Sequence, residues 1–173
     1  MGANPYMSSA HLRVNGYLYL HAVPVSVVSH LQWVVESMLT LSAPWSWTNQ
    51  PLIPKSQKTF LTFRCNLDSL PKLVSDLYEF PNLFAEVIRE PVSFGLGERW
   101  MITPVLGIKR VDTNELGNVV LDESVVLDSI NTQDPTQIPE RLAWAIGRPW
   151  DQALEPLRIA SAATNTTLLA SGS

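Results

Sequence analysis

The sequence predicts an α+β domain in which two helices cover one face of a four-stranded antiparallel sheet. Several segments alternate apolar and polar residues with period two, and two others carry an apolar stripe with the period of a helix. These segments follow one another as strand, helix, strand, strand, helix, strand. This βαββαβ order is that of ferredoxin-like folds, so we predict a ferredoxin-like core with an extra C-terminal hairpin and helices.

The chain has 173 residues, a length that suits one domain. Residues 1–12 are small and polar, and we expect them to form a flexible leader. Residues 13–160 carry the periodic segments and are predicted to be the single folded domain. Residues 161–173 are again small and polar, so we expect a disordered tail.

The first strand and the first helix lie in adjoining segments. "VNGYLYLHAV" alternates with period two and is rich in aromatic and aliphatic residues, which predicts a strand. "HLQWVVESMLTL" has its apolar residues at helical spacing, and Pro44 is expected to end that helix. The short aromatic segment "WSWTNQP" that follows is predicted to be an edge strand.

The second half of the core repeats this arrangement. "TFLTFRCNL" is predicted to be a strand with Leu61, Phe63 and Cys65 on one face. A second helical stripe starts at Leu70, with Pro71 tolerated in the first turn, and "FAEVIREP" is predicted to be the fourth strand.

The C-terminal part begins with "SFGLGERW", whose glycines raise the question of a phosphate-binding loop. Such a loop needs a helix after the glycines, but the alternating stretch "WMITPVLGIKRV" follows, so we predict a connection between strands. "DTNELGN" is a predicted turn that joins this stretch to "VVLDE" as a hairpin. Helices are predicted in "DESVVLDSI", "DPTQIPERLAWAIG" and "PWDQALEPLRI".

Composition and charge exclude several classes of function. There are 12 Lys+Arg against 16 Asp+Glu, and the basic residues are scattered, so we expect no nucleic-acid partner. No apolar run approaches the roughly 20 residues that span a bilayer, so we expect no membrane association. Cys65 is the single cysteine, which allows no internal disulfide and favours a cytoplasmic location.

The histidines and the cysteine do not suggest a metal or a catalytic site. His11, His21 and His30 are not spaced as metal ligands, and each is expected to be neutral or solvated. Cys65 lies in an apolar row, where a thiol is inert. We therefore expect no catalytic residue, no metal and no cofactor.

A cluster of charged residues is the candidate ligand-binding site. Its members are Glu98, Arg99, Asp151, Glu155 and Arg158. Asp151 and Glu155 are four residues apart and share a helical face, so they can act as a carboxylate pair in acid–base chemistry. The alternative is a solvated helix face with a structural tie from Arg99 to a carboxylate. We favour the alternative.

Aromatic residues form the candidate interface. Its members are Tyr17, Tyr19, Trp45, Trp47, Trp144 and Trp150. Tyr17 and Tyr19 share one face of the first strand, and an aromatic sheet face has to be covered. The C-terminal segment can cover it, or a second subunit or a partner protein can, because Tyr and Trp are frequent in interfaces.

Four segments together resemble a known family. They are "HLQWVVESML", "WTNQP", "EPVSFGLGERWMITPVLGI" and "GRPWDQALEPLRIAS". They are similar to the actinobacterial proteins of domain of unknown function 3145, over about residues 14–160. The resemblance implies no known activity, cofactor or catalytic residue. It does suggest a link to fatty-acid synthesis genes.

Two functional hypotheses follow. The first is a non-catalytic protein-interaction or accessory module that binds another protein or itself. The second is a small-ligand or acyl-chain binding protein, or an enzyme, connected to fatty-acid metabolism. In the second case we expect a pocket between the sheet and the C-terminal helices, with the charged cluster at its rim.

Overall fold

The structure is a computed structural model that describes residues 12–93 and 95–170, with the backbone alone for 162–170. The described residues contain eight strands: β1 Arg13–Pro24, β2 Thr40–Leu41, β3 Thr48–Asn49, β4 Ser56–Asn66, β5 Phe84–Arg89, β6 Gly97–Thr103, β7 Gly107–Thr113 and β8 Val119–Val120. They also contain five α-helices: α1 Val28–Met38, α2 Leu70–Tyr78, α3 Glu123–Ile130, α4 Ile138–Ala145 and α5 Arg148–Ala170.

All eight strands belong to one antiparallel sheet. Its order is β2-β4-β1-β5-β6-β7-β8, and β3 pairs with β4 beside β2. The mixed α+β class and the antiparallel sheet predicted from the sequence are therefore confirmed. The sheet has eight strands and not four, because the short strand β2 joins the four predicted ones and the chain after β5 adds three more beyond β5.

The two faces of the sheet differ because side chains alternate along each strand. On the helical face, which α1 and α2 cover, Leu18 and Leu20 of β1 are fully buried. Gly16 shares this face, and an added Cβ there would lie 2.2 Å from the carbonyl oxygen of Ile88 and 2.5 Å from the ring of Phe63. Glycine thus lets the central strand lie close to both neighbours.

Both helices bury their apolar stripes against this face. Leu31 and Val35 of α1 are inaccessible to solvent, as are Leu70, Leu73 and Leu77 of α2. They join the main hydrophobic core with the inward residues of β1, β4, β5 and β6. Full burial of such side chains contributes about 1.5–3 kcal/mol each, which makes this face the main source of stability.

The α5 face, on the other side of the sheet, is covered in part by α5. Trp150 and Leu154 pack against Met101 and Val111 in a second, smaller core. The indole Nε1 of Trp150 also donates a hydrogen bond to the carbonyl oxygen of Gly107, 3.0 Å away. These contacts fix the start of α5 over β6 and β7.

The predicted edge strand is shorter than expected. Only Thr48 and Asn49 of "WSWTNQP" pair with β4. Trp45 and Trp47 precede that strand, and their rings stack 5.3 Å apart at 2°. The prediction that they belong to the edge strand is therefore wrong, and they pack as a pair against the core of the helical face.

The stretch "WMITPVLGIKRV" is also corrected. It forms two strands, β6 and β7, joined by a turn through Pro104, Val105 and Leu106. Pro104 has no N–H for the ladder, and Gly107 has a φ of 78°, which favours glycine. The segment "SFGL" before β6 connects two strands, as predicted, and its Phe94 lies outside the described residues.

The last helix is longer than the sequence predicts. α5 has 23 residues and continues past Pro156 to Ala170, whereas a disordered tail was expected from residue 161. Small residues such as Ala162 and Ala163 led to the prediction of a disordered tail. Alanine is, however, also the best helix former. Residues 171–173 and most of the predicted leader, 1–11, lie outside the described residues.

Candidate functional site

A cleft of about 760 Å³ lies between the α5 face of the sheet and α5. We call it the sheet–α5 cleft. Tyr19, Phe60 and Ile88 supply its aromatic and aliphatic wall. Its polar lining includes His21, Lys58, Glu86, Arg99 and Arg158.

Glu86 lies at the base of the cleft. It sits in β5 between Ala85 and Val87, which point to the opposite, helical face. Its side chain therefore points to the α5 face, where the residue is only 3% exposed. A carboxylate this deeply buried is stable only with hydrogen-bond donors around it.

Three side chains donate hydrogen bonds to Glu86. His21 Nε2 and Arg158 Nε lie 2.8 Å and 2.7 Å from its Oε1, and Arg99 Nε lies 2.7 Å from its Oε2. The donors come from β1, α5 and β6, so this carboxylate ties three elements together.

The pKa of Glu86 reflects this balance. Burial alone would raise it, but the hydrogen bonds from His21 and Arg158 and the charge of Arg99 outweigh burial. The result is a pKa well below the usual range of a glutamate. Glu86 is thus ionised near neutral pH and does not act there as a proton donor.

Asp151 links the two arginines at the α5 side of the network. Its Oδ1 accepts from Arg99 Nη2 at 2.6 Å and from Arg158 Nη2 at 3.0 Å. Glu155 accepts from Arg158 Nη1 at 3.1 Å. Burial alone would lower the pKa of Arg158, but its hydrogen bond to Glu86 and the charge of Glu86 raise it above its ordinary value. Arg158 is therefore charged, and hydrogen bonds to carboxylates hold both arginines in place.

Two nitrogen atoms of this network remain without a hydrogen-bond partner among the described residues. They are Nδ1 of His21 and Nη1 of Arg99. Neither belongs to the fully buried polar atoms that lack a partner, and both residues line the cleft.

The structure brings together four of the five residues in the predicted charged cluster. Arg99, Asp151, Glu155 and Arg158 form the network around Glu86. Glu98 is not part of it, because neighbouring residues on a strand point to opposite faces. Glu98 lies on the side of the helical face.

Glu98 pairs with two other arginines. Arg89 Nε donates to its Oε2 at 3.0 Å, and Arg110 donates to its Oε1. Arg89 is 9% exposed and also donates to the carbonyl oxygens of Glu90 and Leu96. This second ion-pair group holds the β5–β6 connection from the helical face, on the other side of the sheet from the cleft.

The predicted interface aromatics occupy three separate places. Tyr17 and Tyr19 lie on the α5 face, with Tyr17 hydrogen-bonded to Glu90. Trp45 and Trp47 lie at the helical-face core, and Trp45 donates to Glu36 at 2.6 Å. Trp150 of α5 is buried against the sheet, and the exposed Trp144 meets it edge-on at 4.9 Å.

Phe60 completes an aromatic row on the α5 face and was not among the predicted interface residues. It lies 4.7 Å from the ring of Tyr19 and 6.1 Å from that of Tyr17. Phe60 is 49% exposed, so the row presents an open apolar surface to the cleft. The sequence carried a signal for this position, because Phe60 alternates with the apolar face of β4 that contains Leu61.

Other cleft residues were also missed. Glu86, His21 and Lys58 come from three strands that are distant in sequence. Glu86 gave one signal, since a carboxylate stands there in the middle of an apolar strand. Lys58 is buried, its pKa is lowered by that burial, and its Nζ lies 3.4 Å from the carbonyl oxygen of Ala160.

The remaining chemistry-bearing groups lie elsewhere. Cys65 is in the helical-face core, and burial raises the pKa of its thiol to about 11. Within residues 12–93 and 95–170, no group of three or more His, Cys, Asp and Glu side chains could hold a metal ion. In the same part of the chain, none of the helices combines the length and apolar character needed to cross a membrane.

Comparison with known proteins supplies the family. Neither the curated proteins nor the solved structures contain a match. A family model described as "Protein of unknown function (DUF3145)" matches residues 17–171. This range includes β1 to α5 and therefore every residue of the cleft lining named above. The chain belongs to the DUF3145 family.

Proposed function

We propose that this protein binds a small molecule in the sheet–α5 cleft. The observation that carries the proposal is the cleft itself, with a volume of about 760 Å³. Sites for small molecules have roughly 300–1,000 Å³, with mostly apolar walls and a few fixed polar groups. Here the wall is Tyr19, Phe60 and Ile88, and the fixed groups are those held by Glu86.

Binding fits the charged network better than catalysis does. Both carboxylate oxygens of Glu86 already accept hydrogen bonds, and its lowered pKa keeps it ionised. Asp151 and Glu155 are likewise engaged with arginines. A network in which each acid is held by a cation positions groups firmly, which favours selective binding.

A screen of fragments by nuclear magnetic resonance tests the proposal. We expect charged and uncharged fragments to shift the amide signals of Tyr19, Phe60 and Ile88. Phe60→Ala should abolish these shifts, because it removes the exposed ring of the wall. Trp33→Ala is the matched control, since Trp33 is 68% exposed on α1. Fragments that bind only outside the cleft would contradict the proposal.

A protein-interaction role is the second candidate, and a specific patch favours it. Leu127 and Ile130, three residues apart on one side of α3, are 51% and 46% exposed. Large exposed apolar side chains that cluster often mark interaction sites. Light scattering after size exclusion, with Leu127→Glu as the disrupting variant, tests self-association. A monomer unchanged by the substitution would remove that form of the hypothesis.

We also propose that β1 to β5 form a ferredoxin-like core. What supports it is the strand order β5–β1–β4, with β3 and β2 beyond β4, and the placement of α1 and α2 on one face. A cytoplasmic location is a further proposal, supported by the unpaired and buried Cys65. An actinobacterial source is proposed on the four segments that resemble the family.

A further inference from the structure

We infer that the ligand of the sheet–α5 cleft is a small organic anion with an aromatic or apolar body. The inference rests on the proposed binding function and specifies its chemistry. It commits to an anionic group at the Arg99 end of the cleft and an apolar part along the row of Tyr19 and Phe60.

The charges that line the cleft favour an anion. Three cations belong to the lining, namely Lys58, Arg99 and Arg158, against one carboxylate, Glu86. Both oxygens of Glu86 face the donors that hold it, and its side chain is only 4% exposed. Asp151 and Glu155 balance the arginines from the α5 side, but neither belongs to the lining.

Arg99 offers the specific contact. Its Nε and Nη2 are fixed by Glu86 and Asp151, and its Nη1 has no partner within the described part of the chain. The guanidinium is therefore held rigid with one donor edge unused. A carboxylate or sulfonate that meets this edge forms a charge-assisted hydrogen bond without ordering a flexible side chain.

Lys58 adds a second charge near the same ligand. It lies on β4 opposite Thr48 and its amine reaches α5 at Ala160. Because burial disfavours its ammonium form, an anion in the cleft gains more from this charge than from an exposed lysine. Lys58 thus strengthens the preference for negative ligands.

The apolar part of the ligand is set by the aromatic row. Phe60 is half exposed in the cleft, and its ring lies tilted by 39° against Tyr19. Ile88 lies on β5, the strand next to β1, and is paired with Tyr17. An aromatic ring or short chain that covers Phe60 removes apolar surface from water, at about 25 cal/mol per Å².

Two probes of nearly equal shape test the inference. Anilinonaphthalene sulfonate has an aromatic body and one negative charge, and N-phenylnaphthylamine has the same rings without the charge. We expect the wild-type protein to bind the sulfonate at least about tenfold more tightly, by fluorescence titration. Amide shifts at Tyr19, Phe60 and Ile88 should place both probes in the cleft.

Charge variants supply the second part of the test. Arg99→Gln and Lys58→Met should each weaken sulfonate binding and leave binding of the neutral probe unchanged. Arg110→Gln removes the same charge on the opposite side of the sheet and should change neither. Circular dichroism shows whether each variant is folded. If Arg99→Gln does not fold, the two-probe comparison on the wild-type protein still decides.

The outcomes separate the inference from the proposed function. Equal affinity for both probes, with both located in the cleft, would overturn the anion preference and leave small-molecule binding in place. If neither probe shifts cleft residues, both ideas fail. A sulfonate preference that Arg110→Gln abolishes and Arg99→Gln does not would also overturn the assignment of the anion to Arg99.

Discussion

At the scale of single residues, a carboxylate inside a strand is stable only when donors surround it. Glu86 has three, from His21, Arg99 and Arg158. Removing one partner of such a buried group leaves the others as uncompensated charges. This dependence makes Glu86 the residue whose substitution should reveal the network most clearly.

We expect Glu86→Gln to lower the free energy of unfolding by about 3 kcal/mol, because it leaves two partly buried arginines without their shared anion. Urea unfolding measures this. Glu155→Gln is the control, since the side chain of Glu155 is 57% exposed and such pairs contribute at most about 1 kcal/mol. Equal losses in the two variants would mean that Glu86 has no special role.

The lowered pKa of Glu86 predicts how stability depends on pH. The unfolded chain has a glutamate pKa of about 4.3, and the folded value is lower. The contribution of Glu86 is therefore complete above about pH 5 and is lost as the pH falls toward the folded pKa.

Unfolding measured from about pH 6 to pH 3 should show this loss in the wild type and a shallower decline in Glu86→Gln. Parallel curves for the two proteins would contradict the assignment.

At the scale of elements, α5 decides whether the cleft exists. Its first part is fixed by Trp150 and Leu154 on β6 and β7, and Arg158 then links it to Glu86 on β5. The sheet face between these attachments and the row of Phe60 stays open as the cleft. Apolar packing thus holds the start of α5 over β6 and β7, and the ion pairs fix the distance between α5 and β5.

Two substitutions on α5 separate these roles. Leu154 is fully buried, so Leu154→Ala should cost about 2–5 kcal/mol of stability. Ile159 is 61% exposed on the same helix, and Ile159→Ala should stay within about 0.5 kcal/mol. Thermal or urea unfolding compares them. A small effect of Leu154→Ala would show that α5 is not packed on the sheet as described.

At the scale of the whole molecule, the sequence predicted the features that depend on neighbouring residues. It did not predict those that depend on contacts between distant parts of the chain. The strand β1 and the helices α1 and α2 each carry their period within about ten residues, so local spacing predicts them. The alternation of β6 runs on through Pro104 into β7, so the turn was missed. Period two describes two strands of a hairpin as well as one strand.

The site follows the same rule. Asp151, Glu155 and Arg158 share one helix, and their mutual pairing could be read from spacing. His21 and Arg158 lie 65 and 72 residues from Glu86, and no local pattern joins them. The cleft therefore forms because of the order of the strands in the sheet. That order cannot be derived from the spacing of these residues along the chain.

A crystal structure of the protein soaked with anilinonaphthalene sulfonate tests the central claim, an open cleft above Glu86, most directly. We expect the rings to lie against Phe60 and Tyr19 and the sulfonate to lie within hydrogen-bond distance of Arg99 Nη1. A helix α5 packed down onto Tyr19 and Phe60, with no space between them, would contradict it.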